Sequence, residues 1–218
     1  MAFTGFSQRA LDFYARLEAD NSREFWTAHK AVYEAEVRDP MRDLVAALEP
    51  EFGAGKLFRP YRDQRFGRAD SPYKTQQGAI VGPATGIGWY VQVDADGLMV
   101  GGGFRAHGTA QTQRYRDAVD DDRTGIALSG LVETLRASGF EIEGDPLKTR
   151  PRGIAADHPR LELLRFRSLL AIMRYDDPPW LSTPAALDQV LEAWRELKPI
   201  NKWILGNVGS ADVSAMEQ

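Results

Sequence analysis

Between Lys56 and Lys74 the chain holds six basic side chains, Lys56, Arg59, Arg62, Arg65, Arg68 and Lys74, against only two carboxylates, Asp63 and Asp70. Arg recurs at every third position from 59 to 68. A guanidinium presents paired N–H groups that match the oxygens of a phosphate or carboxylate. Clustered guanidiniums also raise the local potential, so the segment suits a negatively charged ligand. Asp63 could orient the neighbouring arginines, and Tyr73 could add a hydroxyl donor. A second basic stretch, Lys148, Arg150 and Arg152, could supply a facing wall, with His158 close by in sequence. The expectation is a ligand site of Arg59, Arg62, Arg65, Tyr73, Lys74, Lys148 and Arg152. Asp63 or His158 is then the acid/base candidate if hydrolysis or transfer takes place there. Two plainer readings compete. The arginines could pair with the chain's acids as a core lattice that defines the fold. They could also reflect a general preference for Arg over Lys.

Other chemistry is thinly signalled. The chain has no Cys, which removes disulfides, thiol catalysis and Cys-bound zinc together. Its three histidines, His29, His107 and His158, are far apart and form no metal-binding pair, so no metal ligands are nominated. His29 shares a helix face with Trp26 and Tyr33 and reads as a packed histidine. Gly101-Gly102-Gly103 could cradle a phosphate, but the fuller phosphate-loop spacings are absent, and close backbone approach is the better reading. Asp120-Asp121-Asp122 and Asp176-Asp177 read as solvated turns. No Gly-x-Ser-x-Gly elbow is present. No cofactor is indicated. Trp180, beside Pro178-Pro179, is the one tryptophan that reads as a loop contact.

The whole chain carries 27 basic and 31 acidic residues, a net charge of −4. A surface of that sign does not draw nucleic acid or anionic lipid by itself, so a nucleic-acid role ranks below a small anionic ligand. It would rest on the basic segment interleaved with Phe58, Tyr61, Phe66 and Tyr73. No apolar run is long enough to span a bilayer and no leader pattern opens the chain, so a cytoplasmic protein with no membrane role is expected. Oligomeric state is not legible.

The elements that must hold these residues follow from periodicity. Ser7 is placed to cap a helix bearing Leu11, Tyr14 and Leu17, with Phe6 and Leu11 as a hydrophobic staple. Asn21 with Glu24 looks like the cap of a second helix carrying Phe25, Trp26 and Tyr33. Asp39-Pro40 restarts or kinks it, and Met41, Leu44, Val45 and Leu48 continue one buried face. Lys56 to Arg59 reads as a short strand, while residues 62–87 show no clean period. Trp89, Val91 and Val93 alternate into a turn at Asp94-Ala95-Asp96-Gly97, so a hairpin returns through Leu98 to Phe104. Helices follow at 109–120 and after Thr124, the second ended by Gly139. Short strands are expected at 140–143 and 147–149. His158-Pro159 opens a helical turn, 167–175 is a strand, and Thr183-Pro184 starts a long helix with an interruption at Pro199. Helices first, then hairpins, argue α+β. The expected architecture is one domain over 1–208, a mainly antiparallel central sheet with N-terminal helices and a long C-terminal helix packed on it. Residues 209–218 read as a disordered tail.

The run Arg59-Pro60-Tyr61-Arg62-Asp63-Gln64-Arg65-Phe66, with Ser71-Pro72-Tyr73-Lys74-Thr75 after it, resembles the signature of the Domain of Unknown Function 2461 family. These are uncharacterised conserved bacterial proteins with an Arg-x-x-Arg-Asp-x-Arg-Phe core. Phe3-x-Gly5-Phe6, Trp26-x-x-His29-Lys30-x-x-Tyr33, Pro151-Arg152-Gly153 and Asp157-His158-Pro159 fit the same resemblance, which runs to about residue 205. It implies that the Arg/Asp core is a family feature and carries no activity over. One departure stands out. The family usually has an acidic residue then Lys before Ser-Pro-Tyr, and here Ala69 and Asp70 stand there. Arg68 would have to substitute for that Lys.

Overall fold

The computed structural model describes residues 2–62, 71–84 and 86–210. Helices α1 (Gln8–Ala19) and α2 (Arg23–Val32) lead through a π-helical stretch (Tyr33–Arg38) into α3 (Asp39–Phe52). Strands β1 (Gly55–Leu57), β2 (Gln77–Ala84), β3 (Ile87–Val93) and β4 (Gly97–Phe104) follow. Then come α4 (Thr109–Asp120), α5 (Asp122–Ala137), β5 (Glu141–Glu143), α6 (Leu161–Arg165) and β6 (Leu169–Asp176). A 3-10 turn (Pro179–Ser182), α7 (Ala185–Glu196) and α8 (Lys198–Asn207) end the series. The fold is α+β, and its six strands form one antiparallel sheet in the order β1-β2-β3-β4-β6-β5. The chain divides into two compact units. The first is Met1–Val81, Tyr90–Val100 and Arg174–Glu192, and the second is Gly82–Trp89, Gly101–Met173 and Ala193–Gln218.

In the first unit an aromatic cluster forms the helical core. Phe13 meets Trp26 edge-on at 6.1 Å, and Trp26 meets Tyr33 at 4.9 Å. Leu17, Met41, Leu44 and Leu48 are fully buried, as their spacing predicts. Asp39-Pro40 does not break the helix. Pro40 lacks an N–H and would press on the carbonyl four residues back. The wider π turn takes up the misfit, with the Asp39 N–H donating five residues back to Glu34 O. Buried Tyr33 then donates its hydroxyl to Gln77 Oε1 at 2.6 Å, and Gln77 Nε2 donates to Phe58 O at 3.0 Å. That pair ties the π turn to the residues just beyond β1. β2 was not legible in the sequence because its first three residues and Val81 are all buried, so inward and outward positions do not alternate.

In the second unit the glycine run is strand, not loop. A Cβ on Gly102 would sit 3.1 Å from Asn201 Nδ2 and 3.2 Å from Leu197 Cδ1, so the C-terminal helices lie close against β4 there. Trp89 Nε1 donates to Trp194 O at 2.9 Å and fixes the same approach. The long C-terminal helix is two helices, α7 and α8, because Pro199 cannot donate in a continuous one. The cap of α5 is Asp121 rather than Thr124: its carboxylate accepts from Thr124 N at 2.9 Å. The strand expected at 147–149 does not form. The Leu147 carbonyl is taken by Arg165 Nη2 at 2.8 Å, and pairing there is a single bridge between Pro146 and Phe166. Gly209 O accepts from Gln111 Nε2 and Ser210 O from Arg114 Nη2, while 211–218 lie outside the described residues. No helix among the described residues is long and apolar enough to cross a membrane.

Gly103 has φ +136, and a Cβ there would collide with the Leu169 carbonyl on β6. Gly103→Ala should therefore cost at least about 2 kcal/mol, read as a lower urea midpoint at unchanged slope.

Candidate functional site

Asn21 and Ser22 both precede α2, and each is a good cap. Ser22 takes the position, its Oγ accepting from Phe25 N at 3.1 Å. Asn21, expected there with Glu24, does something else. Its Oδ1 accepts from Tyr73 N at 3.0 Å and its Nδ2 donates to Tyr73 O at 3.2 Å. A carboxamide carries a donor and an acceptor in the same arrangement as a peptide, so Asn21 acts as a one-residue strand partner.

Tyr73 pairs on its other side with Tyr61 in an antiparallel bridge. Arg62 N donates to Pro72 O at 2.9 Å and Lys74 N to Pro60 O at 2.7 Å. Those bonds flank the pair, so Tyr61 and Tyr73 form the narrow, non-hydrogen-bonded kind whose side chains share a face. Their rings lie 5.5 Å apart, and Trp26 stacks on Tyr73 at 4.3 Å with 8° between planes. The next residue on each strand, Arg62 and Lys74, faces the opposite way. Arg62 Nε reaches back to Tyr73 O at 3.0 Å, and Lys74 Nζ sits 5.3 Å over the Phe58 ring.

These residues line an open cleft of about 920 Å³. Arg23, from the first turn of α2, and Lys56, from β1, line it too. It therefore gathers five cations, Arg23, Lys56, Arg59, Arg62 and Lys74, and no carboxylate among the described residues. The ion pairs found among the described residues lie elsewhere, as with Arg9–Glu36 and Arg42–Asp39. Arg59 and Arg62 are exposed and Lys74 is half-buried. Partial burial lowers the Lys74 pKa from its ordinary value, and the fields of Arg59 and Arg62 lower it further. Burial raises the Tyr73 pKa, Tyr61 adds to that, and Arg23 opposes it, so the phenol stays protonated.

Of the residues singled out in the sequence, Arg59, Arg62, Tyr73 and Lys74 meet in this cleft. Arg65 and Asp63 lie outside the described residues, with Arg68, Ala69 and Asp70. Lys148 and Arg152 are exposed in the second unit. His158, in that unit too, is engaged as a brace. Its Nδ1 accepts from Arg160 N at 3.1 Å, and its Nε2 lies 3.2 Å from Asp120 Oδ1. His29 bonds Phe25 O through Nδ1 and Arg16 through Nε2, each at 2.8 Å, the neutral tautomer's arrangement. Asp120-Asp121-Asp122 is the exposed turn between α4 and α5, as expected, and it is also tied: beside the Asp121 cap, Asp122 pairs with Arg160 at 2.8 Å. No group of three or more potential metal ligands occurs among the described residues.

Sequence reasoning missed Arg23 and Asn21. Each had a local signal. A cation in the first turn of a helix opposes the macrodipole, and two cap-type residues in a row leave one spare.

The family model described as a conserved hypothetical protein, DUF2461, matches residues 9–203. The chain belongs to this family. Every residue that lines the cleft falls inside the matched span. No curated protein and no solved structure matches the chain.

Two outcomes follow. Asn21→Ala removes both bonds to the Tyr73 peptide and should lower stability by about 1–3 kcal/mol in denaturant unfolding. For Lys74 the folded pKa lies below the unfolded one. Between them the unfolded chain holds the extra proton, so stability rises as pH climbs through that alkaline window. Lys74→Met should flatten that rise and stabilise the ligand-free protein at neutral pH by about 0.5 kcal/mol.

Proposed function

We propose that this cleft binds a small anionic or phosphorylated ligand. The observation that carries the reading is the gathering of five cations on one open cleft with no described carboxylate among them. Like charges held together repel, and the lowered Lys74 pKa registers that repulsion alongside partial burial. An anion between them offsets it, and guanidinium forks offer the directed donors that phosphate oxygens take. Binding should also restore the Lys74 proton, so complex formation takes up protons on the alkaline side of neutrality. No described histidine or carboxylate lines the cleft, and Asp63, the acid/base candidate next to Arg62, lies outside the described residues.

Arg62 also holds the Tyr73 carbonyl, which makes Arg59 the cleaner variant. Wild type should melt higher in millimolar phosphate or pyrophosphate. Arg59→Ala with Lys74→Gln should keep the fold and lose that shift. If that double variant instead unfolds as readily as a core mutant, these cations are structural and the reading fails. It fails equally if wild type responds to no anion. A strand-binding protein would show affinity falling steeply with salt, in proportion to the many phosphates contacted, where a small pocket gives a shallow slope.

A further inference from the structure

The alternation of the Tyr61–Tyr73 pair has a consequence for the ligand. The two rings lie on one face of this short ribbon, and Arg62 and Lys74 lie on the other. All four line the same cleft, which therefore offers a ring and several cations to one ligand. Tyr61 is 52 % exposed, unlike Tyr73 and Trp26 behind it, which are 6 % and 4 %. Its ring is backed by Tyr73 at 5.5 Å and Trp26 at 6.0 Å, and its backbone is pinned by the bonds on either side. A ring held on one side and open on the other is a ready stacking surface, with little ordering left to do on binding. In the same cleft Arg59 and Arg62 lie close enough to Lys74 to act on it.

We infer that the ligand joins an anionic group to a planar ring, with the chemistry of a nucleoside phosphate: phosphate at Arg59, Arg62 and Lys74, base against Tyr61. This rests on the anion reading above and goes further in naming the class. The ligand is a free nucleotide rather than a strand, since the chain's net charge of −4 leaves little long-range attraction for a polyanion.

Isothermal titration with AMP, ribose 5-phosphate, inorganic phosphate and a ten-nucleotide oligo(dA) tests it. AMP should bind about tenfold more tightly than ribose 5-phosphate, the increment expected of one stacked base. Tyr61→Ala should erase that difference while ribose 5-phosphate still binds, and Tyr61→Phe should keep it. Equal affinity for AMP and ribose 5-phosphate overturns the ring inference and leaves the anion reading standing. Loss of all binding in wild type sinks both. Oligo(dA) binding far tighter than AMP, with a steep salt slope, overturns the free-nucleotide assignment.

Discussion

The Tyr73 peptide is the point on which the site turns. Its N–H and carbonyl are both held by the Asn21 carboxamide, and the carbonyl accepts from Arg62 as well. Asn21 stands just before α2, so this contact ties the aromatic helical core to a ribbon that is only one bridge long. A lone bridge has little stability of its own. Here it is held by Asn21 on one side and by the stack of Trp26 on Tyr73 on the other. The positions of Tyr61, Arg62 and Lys74 all inherit from it.

Holding that ribbon brings Arg62 and Lys74 to join Arg23, Lys56 and Arg59, so five cations among the described residues line one cleft, an arrangement that works against stability. Folding partly strips Lys74 of water and brings it close to Arg59 and Arg62, and its lowered pKa is the result. A ligand of opposite charge would gain what the free protein lacks here. The neighbouring aromatic face differs in kind: it is preformed, and its outermost ring is open to solvent.

Much of the fold was legible because it rests on local rules. The buried stripe of Met41, Leu44, Val45 and Leu48, the β3–β4 hairpin with its Asp94–Gly97 turn, and the end of α5 near Gly139 all follow from spacing and turn chemistry. β2 was hidden because it is buried on both faces. The caps at Asn21 and Thr124 were misplaced by one to three residues because several neighbours could serve, and only the tertiary partners decide which one does. The glycine run was ambiguous for a similar reason. Glycine reads the same whether its missing side chain makes room for a ligand or, as here, for Leu197 and Asn201.

The amino-acid order by itself determined that an Arg-rich, Tyr-punctuated stretch lies between a helical third and a sheet, and which family shares it. Charge density and aromatic spacing are properties of neighbours in the chain, so they survive without a fold. Only the tertiary structure decided which cations meet. It brought in Arg23 from 33 residues before Lys56. Convergence of distant side chains depends on hydrogen bonds such as those of Asn21 to Tyr73, across 52 positions, and no local pattern encodes that distance.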